Sequence, residues 1–220
     1  MHPGRQPAAS VVQPEPKLVP VEVKTRKAEQ AEATRAALIK TARGLFAKQG
    51  YASVPIEEIV RRAGVTRGAL YHHFRDKAEL LGAVADQLAG EVAEKVQQAA
   101  WAQPRPEKHL EVGFAALLDA SLDPAFQRIV LTDAPAVLGW EAWREIDAKH
   151  GYDMVAMAVE AAMDGRYIER QPVEPLAHML LGALNEGALM IARADDEKAA
   201  RRQVGRSLSR LLDGLKPRSG

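Results

Sequence analysis

The chain has 220 residues, enough for one large or two small domains; 47% of them are apolar but only 5% are aromatic. Its core must therefore rest on Ala, Leu, Val, Ile and Met, and the absence of cysteine excludes a disulfide framework, a thiolate zinc site and a cysteine nucleophile. The formal net charge of +1 conceals an asymmetry: residues 1–82 hold 14 Lys/Arg against 8 Asp/Glu, and residues 83–220 hold 16 against 21, which favours a polyanion at one end only.

Residues 1–27 contain Pro3, Pro7, Pro14, Pro16 and Pro20 and little apolar periodicity, which predicts a disordered tail. Its Arg5, Lys17, Lys24, Arg26 and Lys27 are either simply solvated or placed to reach phosphates and a minor groove. No apolar run precedes a small-residue cleavage site, so no signal peptide is expected, and this with the missing cysteine fits a cytoplasmic protein. From Ala31 onward the pattern is helical. Leu38, Ala42, Leu45 and Phe46 share one face of a first helix ending at Gly50.

Two short helices follow, over 56–63 and 67–74, separated by Ala63-Gly64-Val65-Thr66. Gly64 suits the left-handed conformation that ends the first, and the Thr66 hydroxyl suits the N-cap of the second. The second presents small, basic and aromatic side chains outward, the layout of a helix-turn-helix whose second helix enters a DNA major groove. Arg67 is placed either to bond guanine O6 and N7 together or to grip phosphate. Gly68 and Ala69 permit close backbone approach, Tyr71 and His72 project one turn further on, and His73 with Lys77 forms an expected phosphate clamp. Leu70 and Phe74 share the opposite face and are expected in the core. Adjacent His72 and His73 diverge by about 100° on a helix, so metal binding is not expected there; no cofactor is expected either. Asp76, with Glu79 three residues on, predicts the cap of a fourth helix running to about Trp101.

The residues Phe46, Gly50-Tyr51, Ile56-Glu57-Glu58-Ile59, Ala63-Gly64-Val65, Leu70-Tyr71-His72-His73-Phe74 and Asp76-Lys77-Ala78-Glu79-Leu80 resemble the DNA-binding domain of TetR/AcrR-type repressors over about 31–88. The resemblance implies an all-α protein with a DNA-binding head (28–82) and a C-terminal helical domain (83–220) for effector binding and dimerisation, joined through a helix at about 76–101. Two heads of a dimer would put their second motif helices into consecutive major grooves. Pro55 departs from the family's frequent Ser or Thr, removing a hydroxyl and an N–H, so a phosphate contact there does not carry over.

Pro104 and Pro106 mark the boundary of the body, where helices are expected over 107–122, 124–131, 140–163, 173–194 and 196–215, broken at Asp123-Pro124, Ala134-Pro135, Gly165 and Pro172. No period-two alternation stands out, so no sheet is expected. Phe114, Leu118, Phe126, Trp140, Trp143, Met154 and Met157, with polar His178 and Asn185, read either as an adaptable effector pocket or as plain core. His178, Asn185 and Glu186 argue against a membrane span over 176–194. Leu176, Leu180, Leu184 and Gly187, with Val204, Leu208, Leu211 and Leu215, form apolar stripes expected at a dimer interface.

Together these features predict a homodimeric regulator, most simply a repressor released from a near-palindromic double-stranded operator by a small apolar effector. The alternatives are a ligand-independent architectural DNA binder with a filled C-terminal core, and an enzyme. The sequence contains no Gly-x-Ser-x-Gly, phosphate loop or His-Glu-x-x-His to support enzymatic chemistry. A connected cavity beneath Trp143 and Asn185 would separate the effector-responsive protein from the architectural one.

Overall fold

The computed structural model describes residues 26–217, and every regular element among them is helical. Helix α1 (Arg26–Gln49) buries Leu38, Ile39, Ala42, Leu45 and Phe46, the stripe that helical periodicity predicts. It begins inside the expected tail, at Arg26 and Lys27, whereas Arg5, Lys17 and Lys24 lie outside the described residues. Next come α2 (Ile56–Ala63), α3 (Arg67–His73) and α4 (Lys77–Trp101).

The turns among these helices follow from local chemistry. Gly64 takes φ +68°, and the Thr66 hydroxyl accepts the Ala69 N–H at 3.1 Å. Asp76 accepts the Glu79 N–H at 2.8 Å, while Glu79 accepts the backbone N–H of Arg75 at 2.7 Å. The return bond of the expected capping box thus lands one residue upstream of Asp76. Each such cap contributes on the order of 1 kcal/mol; Gly64 and Thr66 set the angle at which α3 leaves α2, and Asp76 starts α4. Leu70 and Phe74 are buried against Leu38, Phe46 and Ile59, as their shared face predicts.

After α4 a 3-10 turn (Pro106–Lys108) leads into α5 (His109–Ala120), so the helix expected from 107 starts in the tighter winding. Asp123 caps α6 (Pro124–Phe126), accepting the N–H groups of Ala125 and Phe126 at 2.9 Å. The chain then continues as a π turn (Gln127–Asp133) directly into α7 (Ala134–Leu138). The break expected at Ala134-Pro135 is therefore absent. Pro135 falls in the first turn of α7, and the Val130 carbonyl five residues before it accepts from the Trp143 indole instead of from a backbone N–H. The break lies instead at Gly139, whose φ of +86° suits a residue without Cβ.

Helices α8 (Trp140–Asp164), α9 (Val173–Ala192) and α10 (Glu197–Asp213) complete the body. Of the described helices only α9 has the length and apolar composition to cross a membrane, yet 56% of that stretch is buried against its neighbours, as in a core helix. One apolar cluster runs from α1 through α4 to Val130, Leu131 and Trp143. A second joins α5, α8, α9 and α10.

Candidate DNA interface and ligand cavity

Helix α3 presents Arg67, Gly68, Tyr71 and His72 exposed, Ala69 and His73 half-buried, with exposed Thr66 at its cap. A Cβ built on Gly68 meets nothing nearer than the Thr66 hydroxyl at 3.9 Å, so the backbone is open to close approach. Arg67 lies 5.5 Å over the Tyr71 ring and pairs with Glu57 of α2 at 3.0 Å. Both members of that ion pair are exposed, so exchanging it for another anion costs little. Glu57 is a neighbour that sequence reasoning missed, because the α2–α3 angle alone brings it to Arg67. Burial lowers the pKa of His73, and the charges of His72 and Arg35 lower it further; at pH 7 the ring offers a neutral N–H instead of a charge.

Lys77 departs from its expected role. Its ammonium donates to the carbonyl oxygens of Tyr51 and Val54, each at 3.0 Å, and lies 4.1 Å over the Tyr51 ring. The four-carbon stem folds back onto the loop before α2, so the charge secures that loop instead of pointing outward as half of a phosphate clamp. Lys77→Met is therefore expected to destabilise the head by about 1.5–3 kcal/mol, measured as a lowered denaturant midpoint. An unchanged midpoint with weaker, less salt-dependent DNA binding would restore the phosphate role.

Within the body a cavity of about 80 Å³ lies where the two apolar clusters meet. Of the residues expected around it, Phe114, Phe126, Trp143, Met154 and Asn185 line it. Trp143 is buried, and its indole N–H donates to the Val130 carbonyl in the π turn at 2.8 Å. Asn185 donates to Asp147 Oδ2 at 2.6 Å, and Arg144 reaches the same oxygen at 3.0 Å. Burial raises the pKa of Asp147, against the opposing pull of Asn185 and Arg144.

Four expected lining residues lie elsewhere. Trp140 is 63% exposed and packs on the outer side of Trp143, ring centroids 4.8 Å apart. Met157 is exposed, because the inward stripe of α8 runs Trp143, Asp147, His150, Met154, Ala158 and leaves position 157 one residue out of phase. Exposed His178 packs on Tyr152 at 4.6 Å, and Leu118 faces α9 and α10 across Gly187. In their place the cavity gains His109, Asp147 and His150. The period through Trp143 and Met154 already placed the last two on that face, whereas nothing in the spacing announced His109.

Comparison with known proteins covers both the head and the body. Residues 38–84 match the profile of bacterial regulatory proteins of the tetR family, and residues 108–215 match the tetracyclin repressor-like C-terminal domain. The crystal structure of a TetR-family transcriptional regulator from Pectobacterium atrosepticum is 36% identical, with a TM-score of 0.79 over 89% of this chain and 100% of that one. The chain belongs to the TetR family of transcriptional regulators. The Transposon Tn10 TetC protein of Escherichia coli is 28% identical over 74% of this chain and 82% of its own length. The HTH-type transcriptional regulator TtgR of Pseudomonas putida is 48% identical, over only 29% of this chain and 30% of its own length. As a TetR-family member the protein is a DNA-binding regulator, a class without enzymatic chemistry.

In this TetR-family chain the apolar stripes expected at a dimer interface mostly face inward. Leu176, Leu180, Leu184, Val204 and Leu208 are buried within the single chain, and Leu184 lines the cavity. A Cβ on Gly187 would lie 2.7 Å from Val204 Cγ1, so that glycine serves the close approach of α9 to α10 in the same chain. Leu215 is half-buried against the body core. Only Leu211 points outward, 56% exposed. It shares the surface of α9 and α10 with exposed Met179 and Met190, with half-buried Ala183, and with Gly182, where an added Cβ would meet open space.

Proposed function

We propose that this TetR-family regulator acts as a homodimeric repressor. In this reading α3 of each head occupies a major groove of a near-palindromic operator, and a small, largely apolar effector in the body cavity releases it. The observation that carries the proposal is the cavity itself. Its wall is formed by Trp143, which is bonded to Val130 in the π turn, and the same turn reaches the head through Asp133. A filled core, as an architectural DNA binder would have, offers no such space. At about 80 Å³ the cavity is also smaller than the roughly 150 Å³ apolar cavity that accommodates benzene. A ring-sized effector must therefore displace the wall, which gives it different affinities for the two conformations, the requirement for any ligand switch.

Dimerisation is assigned to the outward faces of α9 and α10, through Met179, Gly182, Ala183, Met190 and Leu211. Flexible thioethers beside small residues let two such faces approach and adapt. On the DNA side, Thr66, Arg67, Gly68, Ala69, Tyr71, His72 and His73 are assigned to the contact surface, with Arg67 the base reader.

The test is binding to genomic fragments, followed by Arg67→Ala on the fragment bound most tightly. If Arg67 bonds a guanine bidentately, that change should cost about 1–3 kcal/mol on the operator and little on random DNA. Equal losses on both would reassign Arg67 to phosphate. Failure of the parent protein to select any fragment would remove the operator reading.

A further inference from the structure

The cavity is nearly all hydrocarbon, which makes its few polar atoms informative. His109 opens α5 and also lines the cavity, its ring stacked on Trp101 with centroids 4.9 Å apart and planes 20° from parallel. Its Nε2 lies 3.1 Å from the Gln103 carbonyl oxygen. A carbonyl only accepts, so in the neutral ring Nε2 holds the proton and Nδ1 is left as an acceptor. That Nδ1 is buried, and among the described residues it is the one buried side-chain nitrogen or oxygen with no hydrogen-bond partner.

A buried polar atom without a partner costs roughly 1–3 kcal/mol, so an isolated example beside a cavity calls for whatever completes it. Nearby polarity has the same sign. Asn185 commits its amide N–H to Asp147. Trp143, a donor, is already satisfied by Val130. The one unsatisfied buried atom is thus an acceptor, and Asp147 adds a carboxyl.

We infer that the effector is a small, neutral, single-ring or similarly compact molecule bearing a hydroxyl, which donates to His109 Nδ1 while its hydrocarbon body fills the space between Phe114, Trp143 and Met154. This inference rests on the reading of the cavity as the effector site. Size supports compactness, since at about 80 Å³ even one ring must displace part of the wall. Charge supports neutrality, because an anionic ligand would bring lone pairs against lone pairs and a carboxyl in a low-dielectric space. A plain hydrocarbon would fill the volume but leave Nδ1 without a partner.

The experiment compares phenol, toluene and benzoate, three rings of similar bulk, binding to the full chain at pH 7.5 by calorimetry and tryptophan fluorescence. Phenol is expected to bind roughly fivefold to tenfold tighter than toluene, the worth of one neutral hydrogen bond, and benzoate is expected to bind weakest. His109→Phe keeps a ring to stack on Trp101 but removes the acceptor, so the phenol-to-toluene ratio should fall to about one. Phenol and toluene binding equally to the parent chain would overturn the hydroxyl assignment while leaving the cavity as an effector site. A phenol preference that survives His109→Phe would overturn His109 as the reader. Binding of none of the three would overturn the cavity reading and this inference with it.

Discussion

Met190→Asp combined with Leu211→Asp is expected to yield a monomer that has lost tight operator binding while its head stays folded. Both side chains are 56% exposed on the outward face of α9 and α10, so neither charge disturbs the single chain. Across a symmetric interface each aspartate would be buried without a partner, which strongly disfavours association. Two linked heads bind one operator with an avidity of roughly 10²–10⁴ over a single head, and that factor sets the expected loss. Sedimentation velocity would read the oligomeric state, and fluorescence anisotropy on operator DNA the affinity. Leu184→Asp is the informative contrast. At 2% exposure and against the cavity, it should lower the thermal midpoint of the body instead of parting the dimer. An unchanged dimer in the double variant would place the interface elsewhere.

The contrast between Leu184 and Leu211 marks how far the sequence reaches. The head was legible because its geometry is set within a few residues of where it is needed. Gly64 supplies a positive φ, Thr66 and Asp76 supply caps, and Leu70 and Phe74 lie one turn apart on a buried face. In the body a 3.6-residue period announces that a face is covered but not what covers it. Leu176, Leu180 and Leu184 have the period of an interface, and they are covered by this chain's own α8 and α10. The cavity was half legible for the same reason. Trp143 and Met154 fix the inward stripe of α8, while Trp140 and Met157, each three residues from one of them, fall on the solvent side. His109 was invisible because its role depends on a stacking partner and a carbonyl from the preceding loop. The π turn was invisible too, since the anchors on either side of it, Tyr51 and Trp143, lie outside the segment itself.

Those anchors lead to the second large effect. Asp133 closes the π turn, and its Oδ2 accepts the backbone N–H of Tyr51 at 2.9 Å. Arg128, near the start of the same turn, lies so close over Gly50 that a Cβ there would sit 2.7 Å from its guanidinium. Gly50 and Tyr51 open the loop that Lys77 secures and that leads into α2. At the other side of the turn Val130 holds Trp143 of the cavity wall. A ligand that moves Trp143 therefore pulls on a helical segment already wound away from the α geometry, and the head loop hangs on its far end; such turns concentrate at functional sites. A second connection runs through α4. Burial pushes the Asp86 carboxyl up, but hydrogen bonds from Lys149 and His150 of α8 outweigh it and hold the group below the usual carboxylate range. Asp133→Ala is expected to leave phenol binding to the cavity intact and to remove most of its effect on operator affinity. A coupling of typical size is about 1–3 kcal/mol, so the ratio of operator affinities without and with saturating phenol should fall from roughly fivefold or more toward one. Asp133→Asn, which keeps an oxygen to accept the Tyr51 N–H, should retain most of the ratio. If Asp133→Ala responds to phenol as fully as the parent chain, the signal travels through the Asp86 contacts and α4, and the π turn is only a wall.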